Sequence, residues 1–299
     1  MEIVVCGSLN MDITLEVEEL AKKGETILAN GLKKSLGGKG QNQAVAIKRL
    51  GKDVCMLGAV GNDDYGKEIE LFLENEGLEK NILIKDASTG VAYINIDKNG
   101  DNNIIVYSGA NFMLTEEDFE IFKKTIKKAK ICVLQLEIPL NIVYKCLEYC
   151  SANGIITILN PAPYNKNFDV NYLKYVDYLI PNETELEFLI NKKNIDIESK
   201  LKEVKNLGVK NVLVTLGENG SLCLLENGEY ISVPARKVKA IDTTAAGDSF
   251  IAGFVSKLIE DKSVKEAMEF ATKVSSIVVT KKGAIDSLPL LEEVNKINN

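Results

Sequence analysis

The stretch Asp242-Thr-Thr-Ala-Ala-Gly-Asp248 leads without a break into Ser249-Phe250-Ile-Ala-Gly-Phe254, an apolar run that suits a helix. A turn of small residues, Ala245-Ala246-Gly247, leaves backbone N–H groups free at the start of such a helix. Those donors and the helix dipole attract phosphate. Gly247 lets a ligand approach the backbone because it carries no Cβ. Asp248 then lies in the first helical turn, beside any anion held there. A carboxylate in that place is set to accept the proton of a hydroxyl that attacks a phosphoryl group. The same residues also read as an ordinary helix start, with Asp242 or Thr244 as N-cap and Asp248 favouring the dipole.

A second stretch, Gly37-Gly38-Lys39-Gly40-Gln41-Asn42-Gln43, opens a helix that Gly51 closes. Three glycines around Lys39 allow close backbone approach to a small ligand. Lys39, Gln41, Asn42 and Gln43 crowd polar groups onto the helix entrance. The spacing is not that of a Walker A loop, and no Gly-x-Gly-x-x-Gly dinucleotide fingerprint follows the first strand.

Composition narrows the chemistry. The chain has no histidine. That excludes a Ser-His-Asp triad, an imidazole base, a phosphohistidine and a His-ligated zinc. Acid–base work falls to carboxylates, lysine, tyrosine or cysteine, and Asp248 is the best placed. The formal charge is 36 − 43 = −7, which argues against a nucleic-acid partner. No apolar run is long enough to span a bilayer, and the N-terminus enters a strand at Ile3-Val4-Val5-Cys6 without any signal-peptide pattern. Cys6, Cys55, Cys132, Cys146, Cys150 and Cys223 sit singly, mostly in apolar stretches. They read as reduced core thiols, and a cytoplasmic location follows.

The elements that must position these residues alternate as β-α units. Apolar strands are expected at 2–6, 53–59, 131–136, 155–159, 176–180 and 211–215. Helices are expected at 40–50, 64–76, 115–128, 140–153, 183–190 and 198–207, with two long ones at about 245–260 and 263–281. Thr115-Glu-Glu-Asp118 can form a capping box, and Gly77 and Gly154 end their helices. The pattern predicts an α/β fold, a mostly parallel sheet with helices on both faces, with a ligand crevice at the strand carboxyl ends. Two segments break the rhythm. In 12–17 the residues Ile13, Leu15 and Val17 alternate with polar ones, and in 91–107 two strand-like runs flank Asn99-Gly100, a hairpin signal. The 299 residues read as one domain, 1–299, with no internal repeat or linker.

Both glycine-bearing segments, in this order, resemble the ribokinase-like family of carbohydrate kinases. So do Gly7-Ser8-Leu9-Asn10-Met11-Asp12, Gly58-Ala-Val-Gly61-Asn-Asp63-Asp-Tyr-Gly66, Gln135-Leu136-Glu137 and Asn160-Pro161-Ala162-Pro163. Asn182-Glu183-Thr184-Glu185 and Thr215-Leu216-Gly217-Glu218-Asn219-Gly220 complete the register. The resemblance implies a three-layer ribokinase-like fold with a small β-sheet lid, its strands drawn from about 10–38 and 89–109. It implies a phosphotransferase with an alcohol acceptor: ATP-dependent phosphorylation of a sugar hydroxyl, D-ribose to D-ribose 5-phosphate being the expected reaction. Deoxyribose, fructose, ketodeoxygluconate or a nucleoside are the same-fold alternatives. A non-catalytic sugar or nucleotide sensor is the alternative outside enzymes. A nicotinamide oxidoreductase is disfavoured by the missing fingerprint.

The resemblance also implies residue roles. Asp248 is the catalytic base, taking the proton late, and the N–H groups of Ala245, Ala246 and Gly247 form the anion hole. Asn10, Asp12, Gly38, Lys39, Asn42 and Glu137 bind the sugar together with Asp248. Asn182, Glu185, Thr215, Gly217, Gly220 and Gly247 serve ATP, and Glu185 meets Mg2+ through water. Asn182 and Glu185 also suit a capping box. Asp242, Thr244, Val278, Gly283 and Ser287 match a site for K+ or a similar monovalent cation. Asn219 stands where the family often has a basic residue, and Lys281 and Lys282 have no assigned role. An apolar lid face implies a homodimer through the lid.

Overall fold

A computed structural model describes residues 2–192 and 195–297. In chain order it begins with β1 (Ile3–Cys6), β2 (Asn10–Glu16), β3 (Gly31–Gly37), α1 (Lys39–Arg49), β4 (Val54–Gly61), α2 (Asp64–Asn75), β5 (Glu79–Lys85), β6 (Gly90–Ile96) and β7 (Asn102–Tyr107). Then come α3 (Glu116–Ile126), β8 (Ile131–Leu134), α4 (Leu140–Ala152), β9 (Ile156–Leu159), β10 (Tyr178–Leu179), α5 (Glu183–Ile190), α6 (Ile197–Lys205) and β11 (Asn211–Thr215). The chain closes with β12 (Ser221–Leu224), β13 (Tyr230–Val233), α7 (Ala246–Leu258), α8 (Val264–Val278) and α9 (Leu291–Lys296).

The central sheet runs β13-β12-β11-β10-β9-β8-β1-β4-β5, parallel from β11 to β5 and antiparallel at the β12 and β13 edge. Alternation along β1 shows why the layers are three. Ile3 and Val5 enter a core shared with α1, α7 and α8, while Val4 and Cys6 enter a second core under α3 and α4. Both faces are thus apolar, as a parallel sheet requires. The helices start where their sequences provide caps. Thr115 and Asp118 close a reciprocal capping box on α3, and Ser263 and Glu266 do the same on α8. All six cysteines are buried and free, as expected.

A separate sheet, β3-β2-β6-β7, forms the lid. Met11, Ile13 and Val91 anchor it in a small cluster with Leu36 and Tyr65. The structure differs from the sequence reading at the margins. β5 and the β12–β13 hairpin were not anticipated, nor was α9. β10 shrinks to two residues, and Pro181, which carries no N–H for the ladder, bounds its carboxyl end. α8 stops at Val278 rather than 281, since Thr280 and Lys281 turn back onto Ile277 and Val278 at three-residue spacing. No helix of the described residues is long and apolar enough to cross a membrane.

Candidate active site

Most of the predicted site residues come from the carboxyl ends of the central strands, from lid strand β2 and from the N-termini of α1, α5 and α7. α7 begins without a side-chain cap. Ala245 sits at φ 59°, a left-handed conformation uncommon for a residue with a Cβ. The Ala246 N–H donates to the Thr243 carbonyl at 3.1 Å. Gly247 and Asp248 follow as first-turn donors beyond the reach of the helix's own carbonyls. Asp242 is not the cap that the plain reading offered. Its carboxylate accepts from the Thr244 N–H and hydroxyl and from the Gly283 N–H at 2.8 Å. Those bonds outweigh the desolvation of Asp242 and hold its carboxyl below the usual range.

Asp248 is 6% exposed. Asn42 donates to its Oδ2 at 3.0 Å and Gln43 to its Oδ1 at 2.9 Å. Packing of α1 against α7 thus joins the two glycine-bearing segments. A hollow of about 180 Å³ opens above them. Its lining includes Lys39, Asn182, Glu185, Thr215, Ala245, Ala246, Gly247 and Asp248. Burial works against the Lys39 ammonium, but Asp248, Glu137 and Glu185 together hold its pKa above the usual lysine value. Glu185 is raised by desolvation, partly offset by the Asn182 N–H and Lys39. Asn182 and Glu185 do form a reciprocal capping box on α5.

A second hollow of about 140 Å³ lies under the lid, lined by Asn10, Val106, Ser108, Asn111, Phe112, Leu136, Glu137, Pro163 and Asn165. Its two predicted polar groups are held by residues that the sequence reading left without a role. Ser8 donates to Glu137 at 2.5 Å, and Asn111 donates to Asn10 at 2.8 Å. The Lys39 N–H donates to the same Glu137 oxygen at 3.1 Å, so the two hollows are neighbours. Asp12 and Asn42 line neither hollow. Asp12 nevertheless feels both carboxylates: desolvation, then Glu137 and Asp248, push its pKa up to about 7. A network missing from the sequence reading is Gln135 to Gln43, 2.6 Å across 92 residues.

The glycines on either side of Lys39 are required by the packing of the backbone. A Cβ on Gly40 would stand 2.6 Å from Gly7 C and Ser8 N, and one on Gly38 would stand 2.9 Å from Asn10 N. They let the start of α1 press on the turn after β1. Gly247 behaves differently: a Cβ there would meet nothing within 4 Å. Thr215 reaches the larger hollow, whereas Gly217 and Gly220 lie outside its lining. Gly220 has φ 92° and its Cβ would stand 2.1 Å from the Val233 carbonyl, a structural requirement. Of the five cation candidates, hydrogen bonds join Asp242, Thr244 and Gly283. Val278 accepts from Lys281, and the Ser287 hydroxyl donates to Ala284. Lys281 pairs with Glu293 at 2.9 Å.

Residues 1–291 match the family described as pfkB family carbohydrate kinase. The chain is 39% identical to a ribokinase of Staphylococcus aureus, over 99% of each chain. It is 37% identical to a deoxyribokinase of Salmonella typhi, over 99% of this chain and 98% of the relative. Its fold is similar to that of Arabidopsis thaliana ribokinase complexed with ribose and ATP, with a TM-score of 0.90, 34% identity, and coverage of 99% of this chain and 97% of the other.

Proposed function

Since this chain belongs to the pfkB family of carbohydrate kinases, we propose that it transfers the terminal phosphoryl group of ATP to the primary hydroxyl of D-ribose, giving D-ribose 5-phosphate and ADP. The observation that carries this reading is Asp248: a buried carboxylate, anchored on both oxygens, in the first turn of a helix that has no side-chain cap. Its remaining lone pairs orient the sugar hydroxyl and accept its proton late in the transfer. The Gly247 N–H, with those of Ala245 and Ala246, holds the moving phosphoryl group, the Ala246 donor being shared with Thr243. Gly247 suits that approach because its Cα faces open space.

Asn10, Asp12, Gly38, Lys39, Asn42 and Glu137 hold the sugar. Several fixed polar partners fit a pentose, because each unpaired buried hydroxyl partner costs about 1–3 kcal/mol. Asn182, Glu185, Thr215, Gly217 and Gly220 serve the nucleotide, and Lys39 neutralises phosphate charge. Glu185 is a hard oxygen donor beside the larger hollow and fits Mg2+ held through water. The ion supplies charge neutralisation on the phosphates. The oxygens of Asp242, Thr244, Val278, Gly283 and Ser287 fit a weakly hydrated monovalent cation such as K+. Leu32, Tyr93, Ile105 and Tyr107 stay exposed on one lid face, the face that supports a homodimer through the lid. Free, buried thiols throughout support a cytoplasmic setting.

The similarity to a deoxyribokinase favours 2-deoxy-D-ribose as the second reading. One experiment separates them: ADP release from Mg-ATP with ribose, deoxyribose, fructose, ketodeoxygluconate and adenosine, with and without K+. Ribose-dependent release stimulated by K+ is expected. Preference for deoxyribose replaces the first reading by the second, and no turnover with any of the five by folded protein refutes the kinase.

A further inference from the structure

We infer that a buried amide relay, Gln135 to Gln43 to Asp248, positions the carboxylate that receives the sugar's proton. This rests on the kinase reading above. An ionised carboxylate only accepts hydrogen bonds. The Gln43 group 2.9 Å from Asp248 Oδ1 is therefore its amide nitrogen. That leaves the Gln43 carbonyl to the other side, where the Gln135 nitrogen donates to it at 2.6 Å. Each orientation fixes the next, and the relay has one direction.

Its three members come from three elements. Gln135 follows β8, Gln43 lies on α1 and Asp248 on α7. Both glutamines are 0% exposed, against 9% for Asp12 and 6% for Asn42, so they act on the site through Asp248. Room for Gln135 comes from Gly7, where a Cβ would stand 1.9 Å from Gln135 Oε1. The donors are neutral, so they hold the carboxylate without cancelling its charge. The charged groups around it are Lys39 on α1, Asp12 on β2, Glu137 after β8 and Glu185 on α5. These supply field, and the amides supply direction. Asn42 holds the second oxygen.

Three variants test the relay in protein shown to be folded by thermal unfolding: Gln43→Met, Gln135→Met and Gln135→Glu. Methionine keeps length and removes the donor. Gln43→Met should lower kcat about 100-fold, the cost of a misplaced catalytic group, while KM for ribose stays within about threefold. Gln135→Glu should lose more kcat than Gln135→Met. Its carboxylate draws the Gln43 nitrogen to itself and turns the Gln43 carbonyl onto Asp248. A purely packing role gives no such order and falls on stability instead. Gln43→Met with kcat within about threefold of the parent, a loss confined to KM, or the reverse order at 135 overturns the relay. Should Gln135→Glu not fold, the kcat of Gln43→Met decides alone. Unaltered relay variants in an active kinase overturn only this inference. An unaltered chain that releases no ADP with ribose overturns the kinase reading and the relay with it.

Discussion

Asp248 is 6% exposed and bonded on both oxygens, whereas every residue of β7 is exposed, Ile105 at 65% and Tyr107 at 54%. The floor of the site is fixed when α1 packs on α7, with Gly38 and Gly40 letting the chain close against the turn after β1. The lid is attached through β2 and a small apolar cluster, and its far strand β7 is paired with β6. The difference separates two tasks. Chemistry needs groups held within fractions of an ångström before substrate arrives. Admission and capture need a surface that can still gain contacts.

Asp12 joins the two regions, since it is rooted in the lid strand β2 and feels the floor's carboxylates. The largest expected effect lies on the floor. Asp248→Asn should lower kcat by about 10²–10⁴-fold while ribose binding, followed by calorimetry, persists. An active variant would remove the base role.

Next comes Asp12→Asn. Burial, Glu137 and Asp248 raise the Asp12 carboxyl to about 7, against about 4 in an unfolded chain. Between those values the native state binds the proton more firmly, so the stability of the free protein falls as pH rises, by at most about 1.4 kcal/mol per unit. Below that window Asp12 contributes no pH dependence, and above it the loss is complete. The melting-temperature gap between Asp12→Asn and the parent should therefore widen in the variant's favour from pH 4 to pH 8. A constant gap would show that Asp12 ionises freely.

The smallest effect belongs to the outer lid. Ile105 alternates with Val106, which lines the hollow under the lid, so Ile105 points the other way. Ile105→Lys should weaken self-association about tenfold or more by sedimentation and leave kcat at saturating ribose unchanged. Equal association of parent and variant would place the dimer contact elsewhere.

Local signals carried most of the fold. Thr115 with Asp118 and Asn182 with Glu185 marked helix starts, and Gly51, Gly77 and Gly154 marked ends. β5 was missed because its apolar residues are few and it forms a sheet edge with one partner strand. The β12–β13 hairpin was missed although Asn227-Gly228 signals its turn, with Gly228 at φ 86°. In the site, Asp248 and Asn42 were legible because each sits in a recognisable segment. The roles of Ser8, Gln43, Asn111 and Gln135 were not, although all but Asn111 lie in such segments, because their work is set by partners between 32 and 205 residues away. The glycines flanking Lys39 were legible as positions, but their packing role was not, since only the packed backbone reveals what a Cβ would strike.

A structure with ribose and a non-hydrolysable ATP analogue would show directly whether Asp248 faces the reacting hydroxyl. The primary hydroxyl of ribose should lie within about 3 Å of an Asp248 carboxylate oxygen, with the terminal phosphate at the Gly247 N–H. Ribose bound with that hydroxyl turned away from Asp248, or phosphate seated away from the start of α7, would contradict it.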